Sequence, residues 1–214
     1  MQLFLRGNRY IMKIYDCILD DRNDFIAGGA TVGAMVALSG KKCLWEARAF
    51  GLIDTVVIHY ISAVNVMPTN PYDFGQILKI FCDYGVSSHY LISRRGKVYR
   101  LVPEEAKAWH CGPSIMPEPD NRTGVNEFSI GIELMATENS GFTKLQYDAL
   151  SRLCVDIERR YGADMSYVGH DQIAGERAVA MGLRSAAKVD PGKLFDWGNV
   201  VPCRGDRPRS LLRK

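Results

Sequence analysis

The clearest periodicity in the chain lies over residues 144–161. Leu145, Ala149, Leu150, Leu153, Cys154, Ile157 and Tyr161 recur at helical spacing and predict one apolar stripe. Thr143 is placed as the N-cap, and Gln146, three residues on, completes a capping box. Phe142 and Tyr147 are positioned as the flanking staple, and Gly162 suits the helix end. A shorter helix is predicted over 73–82, with Phe74, Ile77, Leu78 and Phe81 on one side and Pro71 just before it. Residues 55–60 are rich in β-branched side chains and predict a buried strand. Residues 129–134 alternate, with Ile130, Ile132 and Leu134 on one face and Ser129, Gly131 and Glu133 on the other. Two short runs, 89–93 and 97–102, flank Arg94-Arg95-Gly96 and predict a hairpin, and 167–170 predicts a last short strand. Strand, helix, hairpin, strand, long helix, strand is the order of an α/β (α+β) domain with a mixed central β-sheet flanked by helices.

Outside this region the pattern is weaker. Residues 1–50 lack strong periodicity and are set apart as an N-terminal extension or arm of unassigned structure, with the domain proper over 51–200. Within the extension, residues 25–38 are apolar but rich in Gly and Ala, and are expected to form a loop or strand packed on the domain. That run is shorter than the ~20 residues a membrane span requires. Arg6, Arg9 and Lys13 are followed by Asp16, Asp20, Asp21 and Asp24 rather than by an apolar stretch, so no secretory signal is read and a cytoplasmic protein is the default expectation. Residues 201–214 read as a basic, solvated tail.

Composition changes this picture little. The chain has 214 residues, 47% hydrophobic and 24% charged, which is ordinary for a folded domain and long enough for a real core. A net charge of +3 with no basic stripe gives no reason to expect a nucleic-acid partner, and no membrane partner is expected either. The six cysteines include no Cys-x-x-Cys pair, and reduced thiols are expected.

The chemistry-bearing candidates are few. His59 and His170 each stand at the end of a predicted strand, where side chains reach the sheet edge and two imidazoles can meet. Asp190, in Lys188-Val189-Asp190-Pro191-Gly192, is the best third ligand for a catalytic metal that keeps one position open. If this segment is extended, Lys188 points to the same side as Asp190, where its charge could meet an oxyanion. Glu133 is a carboxylate within an apolar strand beside the small residues Ser129 and Gly131, and could serve as a general base. Each has a plainer reading: a hydrogen-bonded core histidine, an Asp-Pro-Gly turn with a solvated lysine, or a carboxylate paired across strands.

Six segments in order carry a resemblance. They are Val57-Ile58-His59-Tyr60, Val86-Ser87-Ser88-His89-Tyr90-Leu91-Ile92, Ala108-Trp109-His110-Cys111-Gly112, the run from Asn126 to Leu134, Gly169-His170, and the run from Lys188 to Trp197. Together they resemble the type 2 N-acetylmuramoyl-L-alanine amidases, the family of AmpD-like enzymes, phage lysozyme-type amidases and peptidoglycan recognition proteins. The resemblance implies zinc held by His59, His170 and Asp190, a catalytic Glu133, and an oxyanion-stabilising Lys188. It places His110, with Trp109 and Asn126, along the substrate groove, and His89 in a structural or supporting position. Ser88 stands where some relatives carry a catalytic tyrosine, which leaves Glu133 and Lys188 as the catalytic pair. Between the second histidine and Lys188 the chain carries an insertion, residues 176–185, expected to form a helical turn bordering the site.

The implied reaction is hydrolysis of the amide between the muramoyl lactyl group and L-alanine, in peptidoglycan or in muropeptides, during wall recycling or lysis. Two other readings stand beside it: a non-catalytic peptidoglycan-binding module of the same fold, and a cysteine peptidase using Cys111 or Cys154 with a histidine.

Overall fold

The structure, a computed structural model, describes residues 12–49, 51–162 and 164–200. A six-stranded sheet runs through it in the order β1(Ile14–Asp16), β7(Val98–Arg100), β6(Tyr90–Ile92), β9(Ser129–Met135), β5(Thr55–Ile61), β10(Ser166–Gly169). Only the β6–β7 pair is antiparallel, which is the hairpin predicted from its glycine turn. All other neighbours are parallel. Parallel strands need crossover connections, and the helices that supply them cover both faces. The mixed α/β expectation therefore holds.

The alternation along β5 and β9 decides which helix goes where. Val56, Ile58, Ile130, Ile132 and Leu134 face the long helix α3(Lys144–Tyr161), which packs Leu150, Leu153, Cys154 and Ile157 against them. Burying each such side chain stabilises the fold by about 1.5–3 kcal/mol. The Thr143 capping box is present, and Phe142 and Tyr147 lie with ring centroids 6.0 Å apart. The other face carries Leu91 and Met135 against α2(Phe74–Tyr84). This helix is capped by Asp73, whose carboxylate accepts from the Gln76 N–H at 2.9 Å.

The described part of the N-terminal stretch is not a detached arm. It contributes β1, a ribbon β2(Ile26–Ala27)–β3(Ala30–Thr31), helix α1(Val32–Leu38) and β4(Trp45–Ala47). Cys17, Leu19, Val32, Val36 and Leu44 are fully buried in the core under α2. β4 pairs antiparallel with β8(Ala106–Ala108). The expected loop or strand over 25–38 is thus corrected to a ribbon followed by a helix. Thr31 provides the N-cap by accepting from the Ala34 N–H. Gly75 makes the contact with α2 close: a Cβ there would meet Gly28 Cα at 2.6 Å. Among the described residues, no helix is long and apolar enough to cross a membrane. The tail over 201–214 and the basic residues Arg6 and Arg9 lie outside the described residues.

Candidate metal centre and active-site cleft

His59 sits near the C-terminal end of β5, and its register partner on β9 is Glu133. Paired residues of adjacent strands share a face, so the imidazole and the carboxylate project together. On the other side of β5, Gly169 of β10 pairs with Ile58. The next residue, His170, opens helix α4(His170–Ala174) rather than ending the strand as expected. The reason is local: Gln172 Oε1 accepts from the Gly169 N–H at 2.7 Å and turns the chain into a helix. Asp190 arrives from a loop, tied to this helix by the Asp171 N–H donating to its carbonyl at 2.7 Å. Lys188 is tied to the same helix, its N–H donating to the Ala174 carbonyl.

These elements bring the three expected ligands to one point. Asp190 Oδ2 lies 3.1 Å from His59 Nδ1 and 3.1 Å from His170 Nδ1. The outer nitrogens reveal which atoms hold protons. His170 Nε2 faces the Cys111 carbonyl at 3.1 Å, so it must donate, and in the neutral ring Nδ1 is the nitrogen left to ligate. On the His59 side the argument takes one more step. Ser129 Oγ donates to the Val125 carbonyl at 2.6 Å, leaving only its lone pairs for His110 Nε2 at 3.3 Å. His110 therefore donates through Nε2 and accepts through Nδ1, which lies 3.0 Å from His59 Nε2. His59 then donates through Nε2 and keeps its lone pair on Nδ1. Two lone pairs and a carboxylate oxygen face one another with no hydrogen between them, an arrangement that suits a cation. The donor set, two imidazole nitrogens and a carboxylate oxygen, fits zinc.

The electrostatics agree. Burial, together with the neighbouring His170, holds His59 down to about 4, so it is neutral and able to ligate. Burial works to raise the Asp190 carboxyl, but the two imidazoles beside it outweigh this and keep it well below the usual range. Glu133 is pushed the other way, well above the carboxylate range, by burial and by the charge of Asp190, with Lys188 partly offsetting. Its Oε2 is buried with no hydrogen-bond partner.

A cleft of about 380 Å³ opens beside the cluster, lined by Trp109, His110, Asn126, His170, Arg184 and Lys188 among others. Arg184 and Lys188 are its charged lining residues, and no carboxylate joins them among the described residues. Arg184 follows α5(Glu176–Ala180), so the insertion before Lys188 does contain a helical turn and does border the site. Its signal was the insertion itself; no pattern singled out the arginine. Two expected groove residues each have a side-chain polar atom engaged internally. Asn126 Oδ1 accepts from the Cys111 and His110 N–H groups, and Trp109 Nε1 donates to Glu46 at 3.0 Å. His89 is wholly buried, accepting from the Gly131 N–H and donating to the Ala106 carbonyl, a supporting position.

Gly131 lies under the His110 ring: a Cβ there would meet His110 Cγ at 2.5 Å and Nδ1 at 2.6 Å. The strand is paired on both sides and cannot retreat. Gly131→Ala is therefore expected to destabilise the fold by about 1–3 kcal/mol, as overpacking does, with urea denaturation as the check.

Cys111 and Cys154 do not have the environment of nucleophiles. Burial and the nearby Asp190 push the Cys111 thiol well above its ordinary value, and burial does the same to Cys154 within the α3 core. Cys17, Cys43, Cys82, Cys111 and Cys154 are all free thiols.

Comparison with known proteins identifies the family. The sequence model of Amidase_2, described as N-acetylmuramoyl-L-alanine amidase, matches residues 49–193. The chain is 39% identical over 113 residues to the 1,6-anhydro-N-acetylmuramyl-L-alanine amidase AmpD of Citrobacter freundii, covering 52% of this chain and 54% of that protein. It is 32% identical to the enzyme of the same name from Haemophilus influenzae, covering 68% and 79%. A solved structure of the E. coli N-acetylmuramyl-L-alanine amidase AmiD, in complex with the substrate anhydro-N-acetylmuramic acid-L-Ala-D-gamma-Glu-L-Lys, superposes with a TM-score of 0.54 at 32% identity, covering 72% of this chain and 59% of that one. The chain thus spans about half the length of several curated relatives it matches. The family match covers well over half of the chain, and it includes all five residues of the candidate centre, so the chain belongs to the N-acetylmuramoyl-L-alanine amidase family Amidase_2.

Proposed function

We propose that this chain is a zinc-dependent N-acetylmuramoyl-L-alanine amidase, hydrolysing the amide between the muramoyl lactyl group and L-alanine of peptidoglycan fragments. The observation that carries this reading is the convergence of His59 Nδ1, His170 Nδ1 and Asp190 Oδ2 beside a buried carboxylate whose Oε2 has no partner. Those three atoms would hold zinc. When bound, zinc supplies Lewis acidity, polarising the scissile carbonyl and lowering the pKa of water toward ~7.

The chain's own residues do the rest. Glu133, held high by burial, accepts a proton from the attacking water at its free Oε2 and returns it to the leaving amine nitrogen. Water thus adds across the C–N bond, leaving a muramic carboxylate and a peptide with a free L-alanine amine. Lys188 on the cleft wall offers its ammonium to the oxyanion that develops on the carbonyl. Arg184 and Lys188 suit a substrate rich in carboxylates, and the ligand in the AmiD complex, an anhydro-muramyl peptide containing D-γ-Glu, is of that kind.

Metal analysis with a hydrolysis assay on an anhydro-muramyl tripeptide tests the reading. One zinc per chain, release of free tripeptide, and loss of release on chelation with recovery on zinc addition are expected. Binding of the muropeptide with no amine released would assign the chain to a non-catalytic peptidoglycan-binding role instead.

A further inference from the structure

We infer that Ser129 and His110 are positioning residues that fix the metal-ligating nitrogen of His59, and that His110 acts through His59 rather than on substrate. The inference rests on the zinc reading above. An isolated neutral imidazole can carry its proton on either nitrogen, and only one tautomer of His59 leaves Nδ1 free to meet Asp190 and His170. The choice is made at Ser129. This side chain is fully buried and its one proton is committed to the Val125 carbonyl. That makes Ser129 Oγ an obligatory acceptor for His110 Nε2, which makes His110 Nδ1 an obligatory acceptor for His59 Nε2.

The surroundings hold this relay still. Gly131 leaves the space that the His110 ring fills. Asn126 grips the His110 and Cys111 backbone. Arg48 donates to the carbonyls of Asn126, Glu127 and Ser129, pinning the segment that ends at the serine. Metal-ligating histidines commonly donate their second nitrogen to an acceptor that sets tautomer and orientation. Here that acceptor is another histidine, whose own state is set one residue further out.

Removing the hydroxyl breaks the relay at its origin. In Ser129→Ala, His110 Nε2 has no acceptor, and nothing opposes a proton on Nδ1. His59 Nε2 must then accept, and its proton moves to Nδ1, into the metal position. Chelator competition should show zinc binding weakened by about 10- to 100-fold, the range seen when outer partners of metal ligands are lost. The KM for the anhydro-muramyl tripeptide, measured with zinc saturating, should stay within about twofold. Nitrogen-15 NMR of the zinc-free wild-type protein should show His59 protonated at Nε2 and His110 protonated at Nε2. Either histidine protonated at Nδ1 would overturn the inference, as would a Ser129→Ala protein that binds zinc as tightly as wild type. A raised KM with unchanged zinc affinity in that variant would place His110 on substrate and overturn it too. If the wild-type protein binds no zinc, the proposed function fails, while the tautomers of the metal-free protein still decide the relay.

Discussion

Glu133→Gln is expected to lower hydrolysis of the anhydro-muramyl tripeptide by about 10²–10⁴-fold, the usual contribution of a general base, while zinc stoichiometry is unchanged. Glutamine keeps the shape of the side chain, and Glu133 is not among the three converging ligand atoms. The same substitution should alter stability in the opposite sense to activity. Burial and the charge of Asp190 hold the folded-state pKa of Glu133 above its unfolded value. The unfolded chain therefore releases this proton at lower pH than the folded chain does. Stability linked to Glu133 is fully present below the unfolded pKa and is lost as pH rises through the folded one. Urea denaturation of the zinc-free protein across this window should show the wild type weakening with pH and the glutamine variant weakening less. A variant as active as wild type would remove Glu133 from the mechanism.

The second large effect concerns Asp190. Asp190→Ala removes the oxygen that both Nδ1 atoms face. Zinc content should fall from one per chain to near zero. Hydrolysis should drop by at least ~10³-fold, because without the metal the attacking water keeps a pKa near ~15.7 instead of ~7. Stability provides an independent readout. A ligand bound only by the folded state adds RT ln(1 + [L]/Kd), about 2.7 kcal/mol at a hundredfold excess over Kd. Chelation should therefore lower wild-type stability by about that amount at such an excess and leave Asp190→Ala unchanged. An alanine variant that still holds zinc would point to a different ligand set. Among the described residues one other group of donors lies close enough to be considered, His59, His110 and Cys111, and it would survive this substitution.

Much of this centre was legible in the chain itself, for an identifiable reason. The 3.6-residue stripe of α3, the alternation of β9 and the glycine turn between β6 and β7 are local patterns, set by side-chain direction and turn chemistry. With the β-branched run of β5, they place His59 and Glu133 on sheet strands, and they put His170 at the end of a strand where the structure opens a helix. The ordered motifs then supplied the family expectation, and the comparison with curated proteins agrees with it. The N-terminal stretch was illegible because its elements are only two to seven residues long and make their contacts far away. β1 pairs with residues 98–100, and Arg48 reaches carbonyls at 104, 126, 127 and 129. Nothing periodic within three residues announces a partner eighty positions on.

His110 marks the boundary most sharply. Its sequence neighbourhood suggested a groove residue, and it does line the cleft. Its nitrogens, however, are taken by His59 and Ser129, contacts spanning 51 and 19 residues. The sequence by itself determined the elements and the sheet-and-helix class, because these follow from local spacing and residue chemistry, and its ordered motifs pointed to the three side chains that converge. Only the tertiary structure decided which nitrogen of each histidine faces the metal position, why Gly131 must lack a side chain, and that Arg184 joins Lys188 on the cleft wall. Those facts depend on distances between segments remote in the chain, and they exist only once the parallel strands have set their register.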